Sequence, residues 1–459
     1  MSTQTDYLER STGGGANFYE VRRSGTSVTV AYGKVGKAGR VGTTEFPTEA
    51  KAVSAAAAKV RDQFCKGYAR AVRGVGSATP QAPVLWRFTG ISRTFGLFVD
   101  ERSCWVGNQR GEVFELLHDG TVSGRFHLPA GVKCIAADDF WVYAGCGDGR
   151  VYDLSGKIPR VAYEIAENVD VYWLDIHDGL LCVSDKTGRV TVVDHEGELR
   201  WSGESEGRAA WTVRCDGDAL YCGDSRGVSG FRTRDGARLW NTALPGDVLF
   251  GWQERAWFYA GTKNGGVYRL AKDTGALETI YPCDESVFSC AATPDGRYVF
   301  AGDNRSSIYC FDESGVRLWK LATGCGSAYS MQYFDGRLYI ATTSGTLACV
   351  DIAEEALLAA REGAVPQAVD IRVDGAPAGV EPSTALETAT SADEGIVLEC
   401  FEDGSRPRVR VVSPGHDPAW HVQFPKGIRE PGARYLVEGV RPAARGGFYR
   451  AYGEIRRLP

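Results

Sequence analysis

The 459-residue chain has no run of 18 consecutive apolar residues, which excludes a transmembrane helix. Met1 to Gly13 is polar and lacks the apolar core of a secretory leader, so no export signal is expected. The thirteen cysteines are odd in number and scattered, with no C-x-x-C and no adjacent pair. This supports neither a disulfide framework nor a cysteine zinc site; it reads as reduced, buried thiols in a cytoplasmic protein. The six histidines, His118, His127, His177, His195, His416 and His421, show no H-E-x-x-H or H-x-x-H spacing. His416 and His421 flank Asp417, and they are read as ordinary hydrogen-bonding side chains. G-x-S-x-G and the phosphate-binding P-loop are also missing. No catalytic residue, metal or cofactor is expected, and the chain is read as a non-enzyme.

Glycine is abundant, 57 residues against 18 prolines. With no collagen-like period, this glycine belongs to turns between short strands. Forty arginines against twelve lysines fit a GC-rich, bacterial coding sequence. The net charge of −6 is unevenly spread. Residues 1–75 hold 12 Lys/Arg and 6 Asp/Glu, whereas residues 76–364 hold 28 and 39. A basic N-terminal unit on an acidic body points to an anionic partner for the former.

The first unit, residues 1–70, has strands over Asn17 to Arg22, Thr26 to Tyr32 and Val41 to Phe46. A helix then follows with Thr48 as N-cap and Val53, Ala56, Val60 and Phe64 on its apolar face. Gly67 closes the helix. A small sheet crossed by one helix is predicted. Between the second and third strands lies Gly33-Lys34-Val35-Gly36-Lys37-Ala38-Gly39-Arg40. Its glycines allow close backbone approach to phosphates. Lys34, Lys37 and Arg40 supply charge, Tyr32 offers a stacking face, and Arg22 and Arg23 are expected to flank the loop. Lys51, Lys59 and Lys66 are read as a solvated helix face.

Phe18-Tyr19-Glu20, Tyr32-Gly33-Lys34, Gly36 and Gly39, Phe46 before the helix and Lys66-Gly67-Tyr68 after it resemble the WGR domain. That module occurs in poly(ADP-ribose) polymerases and in bacterial proteins of mixed architecture. Tyr32 stands where the naming tripeptide has Trp, and Lys34 where it has Arg. The resemblance implies nucleic-acid contact, DNA ends or nicks before RNA. No polymerase domain follows.

Residues 71–83 read as a linker. Over residues 84–352 a unit of strand, polar Gly turn and strand recurs seven times. Equivalent positions fall at 107, 145, 184, 223, 261, 302 and 341, a spacing near 40. This spacing predicts a seven-bladed β-propeller with four strands per blade. Arg200-Trp201, Leu239-Trp240 and Leu318-Trp319 end outer strands. Leu85-Trp86 is a fourth such ending ahead of the first repeat, and it is expected to close the ring on the last blade. The repeats resemble WD-repeat and quinoprotein-type propellers, Phe288 to Lys320 the former especially. A quinoprotein dehydrogenase would need an adjacent cysteine pair, which is lacking.

Aligned on the turn that closes each innermost strand, one position reads Phe95, Lys133, Trp173, Trp211, Phe250, Phe288 and Tyr329. These residues either ring one channel mouth or wedge between blades. With Asp170, Asp247 and Glu285 just upstream, a ring of this kind would suit a cationic segment of a protein partner. Residues 353–393 are read as linker, apart from a short helix over Glu354 to Arg361. Residues 394–459 show five strands, a small β-barrel or sandwich. There, Arg406, Arg408 and Arg410 share one strand face; with Arg445, Arg450, Arg456 and Arg457 they form either a second anionic-partner surface or a solvated face.

The chain is thus predicted to be mainly β: a WGR-like α+β domain, a seven-bladed propeller and a C-terminal β module. The expected function is a non-enzymatic cytoplasmic scaffold that binds nucleic acid through the first domain and protein through the propeller. A purely protein-binding scaffold is the alternative, and an enzyme with an unrecognised channel site the third reading.

Overall fold

The computed structural model describes residues 3–12, 15–65, 68–70, 79–138, 141–372, 379–390, 393–443 and 447–459. Lys66, Gly67, Arg445 and most of the 71–83 linker lie outside them. No helix among the described residues is long and apolar enough to cross a membrane.

The N-terminal domain is a five-stranded sheet of β1 (Thr3–Thr12), β2 (Gly15–Ser24), β3 (Ser27–Lys34), β4 (Arg40–Glu45) and β5 (Ala69–Arg70), ordered β4-β3-β2-β1-β5. β1 is not predicted from the sequence, because its composition is polar. It forms by pairing along the whole length of β2, from Thr3 opposite Ser24 to Thr12 opposite Gly15, and buries Leu8. Helix α1 (Glu49–Cys65) crosses the sheet. Thr48 Oγ1 accepts the Lys51 N–H at 3.3 Å and caps it. The inward stripe is Ala52 and Val60, buried on Val21 and Val28, with Ala56 half-buried between them. Val53 is 45% exposed, so the expected apolar face is displaced by one residue at its start.

Seven propeller sheets follow, six of four strands and the last of five. Their innermost strands are Thr94–Val99, Val132–Asp138, Val171–His177, Ala210–Cys215, Val248–Gln253, Val287–Ala292 and Ala328–Phe334, blades 1 to 7. β6 (Val84–Thr89) pairs antiparallel with Leu347–Asp351 and supplies the fourth strand of blade 7, so chain entry and chain exit share one sheet. Blade 7 then meets blade 1: the Gln332 side chain bonds both the N–H and the carbonyl of Val99, at 2.9 and 2.6 Å. Joined in this way, the ring has no open seam to expose an unpaired strand. Twelve described cysteines are buried and unpaired, filling space as small apolar groups.

Residues 353–393 are not a free linker. After α2 (Glu354–Arg361), Val369–Arg372 adds parallel to β6 on the outer edge of blade 7. Val380 bridges Phe126 on the edge of blade 1. Arg160 of blade 2 donates to the Ser383 carbonyl at 2.8 Å. The segment therefore straps three blade edges in turn. Its polar composition disguises this because the attachment is largely through the backbone.

Beyond the strap, Ile396–Asp403, Arg406–Val411, Val422–Gln423, Arg434–Pro442 and Tyr449–Arg457 form one sheet. An Arg410–His421 bridge and the pairing of Val422 with Tyr449 curl it into a small barrel around Leu398, Cys400, Val409 and Tyr435.

Candidate functional site

The basic loop of the N-terminal domain is a tight hairpin end. Lys37 N–H bonds the Lys34 carbonyl at 3.1 Å, and Gly36 sits at φ +76°, as a turn of this type requires. A side chain at Gly39 would collide with the Tyr32 carbonyl, 2.7 Å from a Cβ, which explains the glycine spacing. Strand pairing sets Tyr32 opposite Tyr19 and Arg40, and Lys34 opposite Asn17. Tyr32, Lys34 and Arg40 therefore share one sheet face. Tyr32 stacks on Tyr19 with centroids 6.1 Å apart and remains 45% exposed. Lys34, Lys37 and Arg40 are exposed, and none is ion-paired among the described residues.

Arg22 and Arg23 do not flank this loop. They lie five or six residues along β2 from Asn17, roughly 15–20 Å at a strand's rise. Arg22 is on the opposite sheet face and pairs with Glu20 at 3.1 Å, and Arg23 pairs with Glu49 at 2.8 Å. Adjacency in sequence misled here because alternation and pairing separate the two ends of a strand.

At the propeller, each innermost strand carries one register irregularity just after a small buried residue. The bulged residues are Phe95, Lys133, Tyr172, Trp211, Leu249, Phe288 and Tyr329. All seven are half-buried or exposed, whereas the preceding Thr94, Val132, Val171, Ala210, Val248, Val287 and Ala328 are buried. An unpaired bulge residue is pushed out of the ladder, so these seven form the mouth ring. Phe95 meets Tyr329 edge-on at 4.9 Å, and Phe288 lies 5.4 Å from Tyr329. Tyr172 stacks on Trp211 at 4.7 Å.

Trp173 and Phe250 are therefore one residue out of place in the predicted ring. They lie deeper, 6% and 2% exposed, in edge-to-face contact at 4.9 Å. Anchoring the alignment on the small buried residue, rather than on the closing turn, brings all seven bulges into line. Below the mouth the Arg214 guanidinium sits over Trp173, Phe250 and Trp252 at 5.2–5.8 Å. Burial there raises the Asp175 carboxyl above its usual range, with Arg214 opposing. A cavity of about 90 Å³ lies among these residues.

The carboxylates expected to greet a cation are already matched. Asp170 lies 3.6 Å from Lys133 and 3.8 Å from Lys186, Asp247 3.8 Å from Lys263, and Glu285 3.7 Å from Arg305.

Of the described C-terminal arginines, Arg406, Arg408 and Arg450 reach the propeller, whereas Arg410, Arg456 and Arg457 pair with carboxylates outside it. Arg406 pairs with Glu198 and Arg408 with Glu196, both on blade 3. Arg450, 4% exposed, pairs with Asp138 of blade 2. Arg410 binds Glu399, holding that carboxyl below its usual range, and Arg456 and Arg457 pair with Asp393 and Glu430. His421 lies against Glu196 and Arg408, and His416 against the Ser413 carbonyl.

Residues 4–75 match the WGR domain family. The family described as outer membrane protein assembly factor BamB matches residues 84–281 and, in an overlapping second match, 224–371, well over half of the chain. The chain belongs to this family. Here the family's repeats build the seven blades, behind a WGR domain. Among solved structures, the WD40 β-propeller domain of Doa1 aligns with a TM-score of 0.53 at 12% identity, covering 60% of this chain and 98% of that one. The likeness is one of fold. The computationally designed protein Ika8 aligns at 0.47 and 13% identity, over 59% of this chain and 100% of that one. No curated protein matches the sequence.

Proposed function

We propose that this protein is a non-enzymatic cytoplasmic scaffold whose WGR domain contacts nucleic acid, DNA ends or nicks in particular, and whose propeller docks a protein. The observation that carries the first half is the shared face of Tyr32, Lys34 and Arg40 beside the Gly33–Gly39 turn. It combines unpaired cations, accessible backbone and an aromatic face, the parts that phosphate binding and base stacking use. Family resemblance to the WGR domain adds support. The second half is supported by the bulge ring, five of whose seven residues, Phe95, Tyr172, Trp211, Phe288 and Tyr329, are aromatic and at least partly exposed.

The test is titration of the full chain with nicked duplex, blunt duplex, single-stranded DNA and RNA across a salt series. With about three or four phosphate contacts, log K falls with log salt at a slope near −3. A Lys34→Glu/Lys37→Glu/Arg40→Glu variant, altered only at exposed positions, loses that binding. No binding at low salt, or equal binding by the variant, would leave a purely protein-binding scaffold.

A further inference from the structure

The occupant of the propeller mouth can be specified from its charge. Two connections on blade 1 are tied together: the Arg93 carbonyl accepts the Gln109 N–H at 2.8 Å, which sets Arg93 beside Arg110. Across the ring on blade 4, Arg208 N–H bonds Ser225 Oγ at 3.0 Å, which sets Arg208 beside Arg226. All four arginines are exposed, and none is in ion-pair contact with a carboxylate among the described residues; the Glu112 carboxylate near Arg110 is held by Arg125 and Asn108. Each pair stands next to the bulge aromatic of its own blade, Phe95 or Trp211. Between them Asp170, Asp247 and Glu285 are each already paired with a lysine or arginine, and Glu167 stands exposed in the connection before Asp170.

The mouth is thus an aromatic floor flanked by two pairs of exposed arginines, with the Asp224 carboxylate beside the second pair turned onto the Gly207 and Arg226 N–H groups. Arginine forks grip carboxylates through paired N–H donors, and exposed poles of one sign steer an oppositely charged partner. We propose that the mouth takes an acidic segment of a partner protein, with carboxylates at both ends of a short apolar centre that rests on Phe95, Trp211 and Tyr329. This rests on the docking reading above and names its partner chemistry. A nucleic acid fits less well. Trp211 spends a ring face on Tyr172, and Tyr329 packs against both Phe95 and Phe288, so few faces are free for bases. A continuous phosphate chain would also have to pass Asp170, Asp247 and Glu285.

The experiment uses the full chain and a fluorescent decapeptide with Asp/Glu flanks around Phe-Leu. Its Asn/Gln and Lys counterparts and an oligo-dT competitor complete the set. The acidic peptide is expected to bind in a salt-sensitive way. Arg208→Glu/Arg226→Glu weakens it at least tenfold with an unchanged melt, and Lys34→Glu/Lys37→Glu/Arg40→Glu leaves it intact. Binding of the neutral or Lys peptide instead, lost in Trp211→Ala, would keep the docking mouth and overturn the acidic partner. Displacement of the acidic peptide by oligo-dT in the loop variant would make the mouth a nucleic-acid site and overturn the proposal. No binding by any peptide would overturn both readings.

Discussion

Trp240 of blade 4 donates its indole N–H to the Lys272 carbonyl of blade 5, 32 residues on, at 2.8 Å. Trp201 does the same to Thr233 and Trp86 to His118, at 2.6 and 3.0 Å and the same separation. Each indole lies over a glycine of the receiving turn: Gly275, Gly236 and Gly120, all at positive φ. An outer strand is thus hooked to the next blade by one hydrogen bond and one close aromatic contact. Because Trp86 precedes the first blade, the hook also operates across the ring closure.

Removing the donor while keeping an aromatic, Trp240→Phe, should cost about 1 kcal/mol, the worth of a typical hydrogen bond. Gly275→Ala should cost more, about 2–4 kcal/mol, because it combines a left-handed backbone penalty with overpacking against the indole. Denaturant melts of the two variants check this. Gly336→Ala, at a turn with nothing near its missing Cβ, separates the backbone penalty from the collision.

These hooks show what the sequence could and could not disclose. The repeat near 40, the closing role of Leu85-Trp86 and the N-cap at Thr48 are local patterns, and they are legible because period and chemistry recur. The bulge ring was missed by one residue in blades 3 and 5, since an inserted residue breaks the alternation on which alignment relies. The strap over 353–393 was hidden because backbone pairing leaves little trace in composition. For Arg406, Arg408 and Arg410, the shared face was readable. The propeller partners of Arg406 and Arg408, Glu198 and Glu196, lie more than 200 residues away in sequence, and nothing local announces them.

Trp173 and Trp211 lie at different depths, and their removal should differ in cost. Trp173→Ala removes a ring that is 6% exposed and packed on Phe250 and Arg214, and should cost about 3–5 kcal/mol. Trp211→Ala removes a half-buried ring stacked on Tyr172, and should cost clearly less while abolishing peptide capture at the mouth. Equal thermal losses in the two variants would contradict the assigned depths.

The barrel is clasped to the propeller through Arg450 and Asp138. Arg450→Met leaves Asp138 buried with the Gly179 N–H still bonded to it, but without its counter-charge. Breaking a buried pair on one side costs about 3–5 kcal/mol. Removing both charges, Arg450→Met with Asp138→Asn, should recover part of that loss. Proteolysis between barrel and propeller, followed by mass, would show whether the clasp is what opens in the single variant.

The same interface should respond to acid through His195. Its ring stacks on Phe448 of the barrel with centroids 3.9 Å apart. Burial lowers its pKa from 6.5 to about 4; Asp194 opposes that change, and His421, Arg200 and Arg429 reinforce it. The unfolded chain therefore binds a proton between pH 6.5 and 4 that the folded chain refuses. Stability rises with pH wherever the unfolded state holds more protons, so the contribution is fully present above 6.5 and drains away as pH falls toward 4. Its full extent is about 3 kcal/mol, at roughly 1.4 kcal/mol for each pH unit. Carboxylates held low by arginines, such as Glu399, add their own loss mainly at the acid end of the range. Comparison with His195→Gln separates the two. That variant starts less stable, having lost the stack, but its stability should stay flatter between pH 6.5 and 4.5. Parallel pH profiles for wild type and variant would mean that the Phe448–His195 contact tolerates the charged ring.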